Sequence, residues 1–150
     1  SLDAVIREVI HKYAKIMIRR KIRMHYEKTE VTVISDEKWL AFVLEQLLSN
    51  AVKYTPEGEI TIEVREEPQH IWLEIRDTGI GIRSEDIPRV FEKGYTGFNG
   101  HEDKRSTGIG LYLCREVLQK LGHTIQIQSE MGVGTNVKVG FSRDVIDFRD

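Results

Sequence analysis

The sequence predicts an α+β domain: a two-layer α/β sandwich whose mixed, mainly antiparallel sheet carries helices on one face. Three observations carry this. Leu40, Val43, Leu44, Leu47, Leu48 and Ala51 recur at helical spacing. Four short stretches alternate apolar and polar residues with the period of a half-buried strand. The length of 150 residues, with 40% hydrophobic and 31% charged residues, suits one soluble domain with one core.

In chain order, residues 3–19 read as a first helix, with Val5, Val9 and Ile16 on its apolar side. "IRMHYE" (22–27) and "VTVI" (31–34) read as a short hairpin. Ser35 is placed to cap a second helix, with Asp36 and Glu37 in the first turn, where acids suit the helix dipole. That helix stops near Tyr54-Thr55-Pro56, because proline disfavours helical backbone in the residue before it. Ile60, Ile62 and Val64 form one strand pattern; Ile71, Leu73 and Ile75 form the next. From Gly79 to Ser106 periodicity is lost and Gly, Lys and Asp accumulate. A third helix starts about Thr107 and ends at Gly122, a glycine C-cap. Ile125 with Ile127, then Val137, Val139 and Phe141, make two closing strands, and "DVIDFRD" is expected to be loosely held.

Composition excludes several classes. Lys+Arg 22 against Asp+Glu 24 gives a net charge of −2, without the basic stripe that nucleic acid or an anionic membrane surface needs. The single Cys114 has no intramolecular disulfide partner, which fits a reducing compartment, and it reads as a buried helix residue. No apolar run approaches the roughly 20 residues of a membrane span, and there is no signal peptide. The chain opens with Ser1 rather than Met, and the expectation is a segment of a longer protein.

Four short pieces carry candidate chemistry, each with a plain reading beside it. Gln46, Asn50 and Lys53 are spaced i, i+4, i+7 on one side of the second helix, about 120° from the leucine face. Two amides and an ammonium in line suit a hard cation and phosphates; the plain reading is a solvated face. Asp77, followed by Gly79 and Gly81, places a carboxylate at a strand end, where an exocyclic amine would satisfy it. The glycines let backbone approach a flat ring; the plain reading is a turn. "STGIGL" (106–111) exposes backbone N–H groups at a helix start, a phosphate seat or an ordinary cap. It is neither a dinucleotide fingerprint, which would need glycine at Leu113, nor a Walker loop. "GVGT" (132–135) links the last two strands, or is simply a hairpin.

The order of these pieces resembles a known family. "EQLLSNAVKYTP" (45–56) looks like the N box, "DTGIGI" (77–82) like the first glycine box and "FEKGYTG" (91–97) like the F box. "TGIGLYL" (107–113) and "GVGT" (132–135) look like the two later glycine boxes. Together they resemble the catalytic, ATP-binding domain of bacterial sensor histidine kinases, in the gyrase/Hsp90/histidine-kinase/MutL superfamily, from about Ile34 to Phe141. "FEKGYTGFNG" followed by "KRSTGIGLYLC" is similar to the intramembrane-sensing kinases that answer cell-envelope antibiotics beside a peptide-exporting transporter.

The resemblance implies a Bergerat-type fold over residues 1–150 with a mobile ATP lid, and ATP and Mg²⁺ as cofactors. It implies that Asn50 coordinates Mg²⁺, that Lys53 contacts phosphate and that Tyr54 flanks the ribose–phosphate. Asp77 would accept from the adenine amino group, supported by Thr135 through water, with Gly79, Gly81 and Ile82 lining the base pocket. Thr107, Gly108, Ile109, Gly110 and Leu111 would cradle phosphates. Residues 93–106 would form the lid, started by Phe91, with Lys93, Lys104 or Arg105 reaching the phosphates. Gln46 stands where the gyrase and Hsp90 branches carry a water-activating glutamate; an amide is no general base, so slow hydrolysis is expected. Glu45 points about 100° away around the helix.

None of His11, His25, His70, His101 and His123 combines a helical setting with a following acid; His101-Glu102 has the pair but falls in the lid. The phosphoacceptor histidine is therefore expected on a dimerisation domain outside this sequence. The partners implied are that domain, a response regulator and, through the parent protein, a transporter. The implied setting is the cytoplasmic part of a membrane protein, without direct membrane contact by this segment. Two rivals stand beside this reading: a stand-alone serine kinase of the anti-sigma type, and a nucleotide-binding module without transfer activity.

Overall fold

A computed structural model describes residues 1–92 and 110–142. Helix α1 (Leu2–Arg19) leads into strand β1 (Ile22–Tyr26), helix α2 (Glu37–Lys53), strands β2 (Gly58–Glu66) and β3 (His70–Asp77), and a 3₁₀ turn at Ile87–Arg89. Helix α3 (Gly110–Lys120) and strands β4 (Thr124–Glu130) and β5 (Gly134–Ser142) follow. Among the described residues the strands form one sheet, ordered β1-β2-β3-β5-β4. Only the β1–β2 pairing in it is parallel; β2–β3, β3–β5 and β4–β5 are antiparallel.

The alternation read from sequence is the burial pattern of the sheet. Ile60 and Ile62, Leu73 and Ile75, and Val137 and Val139 fall on one face and join the core with Phe141. Leu44, Leu47, Leu48 and Ala51 of α2, Val5, Ile6 and Val9 of α1, and Cys114 and Leu118 of α3 cover that face. The opposite face carries an ion-pair ladder. Glu74, only 6% exposed, is held by Arg65, Arg76 and Lys138.

Two local expectations are corrected. Residues 22–27 and 31–34 do not form a hairpin. Instead β1 lies parallel to β2, from Ile22 opposite Gly58 to Tyr26 opposite Ile62, with α2 as the crossover that a parallel pair requires. Segment 31–34 is not in a strand. The start of α1 holds the stretch before it: the Asp3 carboxylate accepts from the Tyr26 hydroxyl and the Thr29 N–H, and Val31 C=O accepts from Leu2 N–H at 3.3 Å. The α2 cap is Asp36, not Ser35: Asp36 Oδ1 accepts from Trp39 N–H at 3.1 Å. Ser35 Oγ instead meets His123 Nε2 at 3.3 Å.

The helix ends fall where the sequence places them. α2 stops at Lys53, and Arg20 Nη1 donates to its Val52 carbonyl at 2.9 Å. α3 closes on Gly122 (φ 81°), with His123 N–H donating to Leu118 C=O and Gly122 N–H to Gln119 C=O, the two bonds of a Schellman cap. Residues 143–150, expected to be loosely held, lie outside the described residues.

Candidate functional site

Asp77 sits in a row otherwise made of core residues. Leu73, Ile75 and Asp77 alternate onto the same face of β3, so the strand that buries two aliphatic side chains also directs a carboxylate inward. Its Oδ1 accepts from Gly79 N–H at 2.9 Å and from Thr135 N–H at 3.2 Å. Burial pushes its pKa up to about 6, while these two donors pull the other way. Among the described residues no donor meets Oδ2. One oxygen is thus fixed by two backbone donors, and the other has no donor among the described residues.

The turn after Asp77 is welded to two other segments. Ile80 N–H donates to Tyr54 C=O at 3.0 Å, joining the turn to the end of α2. Gly132 N–H donates to Ile80 C=O at 2.9 Å, and Ile82 N–H to Ser129 Oγ at 2.8 Å, joining it to the β4–β5 hairpin. Both glycines are required by these approaches. A Cβ on Gly79 would stand 2.2 Å from Tyr54 O. On Gly81, whose φ is +79°, it would stand 2.2 Å from Glu130 O. The demand here comes from protein backbone, a stricter requirement than the room for a flat ring read from sequence.

Across the groove, α2 presents Gln46, Asn50 and Lys53, all half-buried rather than solvated. The Lys53 ammonium lies 5.3 Å from the Tyr54 ring centroid. Gln46 Oε1 lies only 2.9 Å from where a Gly110 Cβ would be, so the first turn of α3 packs directly on the amide stripe. One turn further along α3, Cys114 Sγ faces Val43 C=O at 3.9 Å. Burial pushes the Cys114 thiol up to about 12, which leaves it inert. Glu45 turns away from the groove and binds Lys12 of α1 at 2.9 Å.

These contacts join the end of α2 to the turn 79–82, the turn to the β4–β5 hairpin and α2 to the start of α3; the space that these segments and the row Asp77–Thr135–Ser129 bound is the candidate groove. The family model "Histidine kinase-, DNA gyrase B-, and HSP90-like ATPase" matches residues 35–144, a span that contains every one of these segments. The chain belongs to that family.

Relatives within this ATPase family include the sensor protein BceS of Bacillus subtilis, 46% identical over 135 residues, covering 90% of this chain and 40% of the relative. The sensor histidine kinase YxdK of the same organism is 39% identical over 147 residues, covering 94% and 44%. The chain thus spans less than half the length of these relatives. Among solved structures, full-length ShkA in complex with AMPPNP superposes with a TM-score of 0.80 at 19% identity, covering 94% of this chain and 30% of that one. That likeness establishes the two-layer α+β fold.

Of the residues singled out in the sequence, contacts join Asp77, Gly79 and Thr135, tie the turn 79–82 to Tyr54, and set Gln46 against Gly110; Asn50 and Lys53 lie on the same side of α2 as Gln46. Lys93, Lys104, Arg105, Thr107, Gly108 and Ile109 lie outside the described residues, as does His101. Phe91, at the end of the described stretch, stacks under the Arg115 guanidinium at 5.4 Å. Thr135 stands beside Asp77: its backbone N–H donates to Asp77 Oδ1, and its hydroxyl pairs with Ser129. Ser129 is the residue that sequence reasoning missed, since its contact with Ile82 spans 47 positions. Thr55, fully buried beside Gly79, has no hydrogen-bond partner for its hydroxyl among the described residues.

The described histidines lie apart from the groove. His70 and His123 are at the far end of the sheet, beside Ser142 rather than Thr135. His123 accepts from Ser142 N–H at Nδ1, and burial lowers its pKa, so the ring is neutral. His11 is exposed on α1, and His25 pairs with Glu59 on the outer sheet face.

Proposed function

We propose that this chain is the ATP-binding catalytic domain of a sensor histidine kinase, of the antibiotic-responsive intramembrane-sensing subfamily. It donates the γ-phosphoryl of Mg²⁺-ATP to a histidine on a separate dimerisation domain, for onward transfer to an aspartate of a response regulator. In this reading the parent is a membrane protein with this domain in the cytoplasm, as the family resemblance implies; no helix among the described residues is long and apolar enough to cross a membrane. The observation that carries the reading is the half-satisfied Asp77 carboxylate at the end of β3, followed by a turn bonded to the Tyr54 carbonyl at the end of α2.

The residues fit the nucleotide. Asp77 Oδ2 is an acceptor in a desolvated setting, matched to an exocyclic amine. Backbone pins its partner oxygen, so the acceptor is oriented before a ligand arrives. The start of α3 lies against Gln46, and the N-terminal end of a helix favours phosphate oxygens through its N–H groups and dipole. Among the described residues no group of three or more His, Cys, Asp or Glu could hold a metal. The resemblance of 45–56 to the N box assigns a Mg²⁺ to the Asn50 carbonyl oxygen, its shell completed by phosphate oxygens and water. The bound metal supplies charge neutralisation at the transferring phosphoryl group.

Gln46 occupies the position from which a carboxylate would activate water in related ATPases, and its neighbour Glu45 is held by Lys12. Bound ATP therefore survives until an acceptor docks, as a kinase requires. The test is to mix the chain with labelled ATP and a separately produced histidine hairpin from a BceS-type sensor. Acid-labile label on the hairpin histidine is expected. Nucleotide binding without transfer, or label on serine of a partner protein, would overturn the histidine-kinase reading.

A further inference from the structure

Asp77, Thr135 and Ser129 stand side by side across β3, β5 and β4, Asp77 opposite Thr135 and Thr135 opposite Ser129. Ser129 Oγ has three protein contacts: Ile82 N–H at 2.8 Å, Thr135 Oγ1 at 2.8 Å and Gly134 C=O at 3.0 Å. A serine hydroxyl has one proton and two lone pairs. The Gly134 carbonyl only accepts, so the Ser129 proton goes there. The Ile82 N–H only donates, so it takes one lone pair. The contact with Thr135 is then a hydrogen bond only if Thr135 is the donor. The proton of Thr135 is directed at Ser129, and its remaining lone pairs face away from it.

We infer that Ser129 is a positioning residue for base selection: by holding the Thr135 proton it makes the row beside the groove an all-acceptor wall, Asp77 Oδ2 with Thr135 Oγ1, which favours a 6-amino purine over a 6-oxo purine. The inference rests on the ATP reading above and extends it. At position 6 an oxo group puts a third acceptor against two where an amine donates to them; its N1–H still donates, but one ring position away from the amine. Without Ser129 the Thr135 hydroxyl is free to rotate and donate to that oxygen, and the discrimination relaxes.

Affinities of the chain for ATP and for ITP, measured by calorimetry with Mg²⁺ at one pH, test this. The wild-type chain prefers ATP. Ser129→Ala narrows the ATP/ITP ratio roughly five- to tenfold, the worth of about one hydrogen bond. Ser129→Thr, which keeps the hydroxyl and suits a strand, retains the ratio. In a Thr135→Val background, Ser129→Ala changes the ratio no further, because the hydroxyl it acts through is gone. An equal loss of affinity for both nucleotides in Ser129→Ala would mean the residue only braces the hairpin, and would overturn the inference while leaving the ATP reading intact. A wild-type chain that binds both nucleotides alike would overturn the inference and leave the ATP reading standing; one that binds neither would overturn the ATP reading and the inference with it. Should circular dichroism show Ser129→Ala unfolded, Ser129→Cys, a poor acceptor of similar size, carries the same prediction and the same refutation.

Discussion

Thr135 N–H donates to Asp77 Oδ1 at 3.2 Å, directly across the β3–β5 ladder. Together with Gly79 N–H this bond saturates one carboxylate oxygen and orients the other, so the acceptor is built by strand register rather than by a flexible loop.

Asp77→Asn tests that acceptor. Asn keeps an oxygen for the two backbone donors but removes the charge and places an amino group where Oδ2 stood. ATP affinity should fall by about tenfold to a hundredfold, the usual worth of a hydrogen bond to a charged group. Thermal stability at neutral pH should hold or rise, since a buried carboxylate is replaced by a neutral amide. Calorimetric binding and a melting curve on the same sample check both.

The pH dependence follows from the same group. Burial raises the folded-state pKa of Asp77 from 3.8 to about 6, so the folded chain holds this proton more tightly than the unfolded chain. Its contribution to stability is complete below about pH 4 and is lost as pH rises through about 6. Binding runs the other way, because a protonated carboxyl no longer offers Oδ2 as a charged acceptor. ATP affinity should drop up to about tenfold per pH unit below 6, and Asp77→Asn should show only the nucleotide's own pH response. A carboxyl titration by NMR locates the midpoint.

Gly79→Ala and Gly81→Ala should each destabilise the chain by about 2 kcal/mol or more, lowering the melting temperature by roughly 4–8 °C. At both positions the added Cβ would lie 2.2 Å from a backbone oxygen, Tyr54 O or Glu130 O, and neither can yield without parting the turn from α2 or from the β4–β5 hairpin. Affinity for ATP should fall in parallel. Unchanged melting in Gly79→Ala would mean that the turn is not fastened to α2 in the way its contacts indicate.

Much of this was readable before any coordinates, and the reasons are local. Ile60/Ile62 and Leu73/Ile75 alternate because one sheet face is buried, and Asp77 continues the same row, so periodicity alone sets its direction. The α2 stripe Gln46–Asn50–Lys53 follows from helical spacing. The partner of β1 was not readable: alternation in 22–26 says the segment is a strand but gives no address, and Tyr26 and Thr29 are drawn to Asp3 instead of into a hairpin. Ser35 and Asp36 have similar capping propensity, and the choice between them is tertiary, with Ser35 facing His123. The part played by Ser129 depends on Ile82 and Thr135 arriving beside it, which no short window of sequence contains.

Hydrolysis offers a contrast between neighbours. Gln46→Glu should raise the slow ATPase rate measurably, by placing a general base on the groove side of α2. Glu45→Gln should leave the rate unchanged, because Glu45 is engaged with Lys12 on the α1 side. A coupled phosphate-release assay compares the two. A fall in rate on Glu45→Gln would move the water-activating position to the wrong face of the helix.

The central claim is that one groove reads the base with Asp77 and grips the magnesium–triphosphate with α2 and the start of α3. A crystal structure of the chain with Mg²⁺ and a non-hydrolysable ATP analogue tests it most directly. The account predicts the exocyclic amine within hydrogen-bond distance of Asp77 Oδ2 and the metal bound to the Asn50 carbonyl oxygen. An analogue seated elsewhere, or a base whose amino group leaves Asp77 Oδ2 untouched, would contradict it.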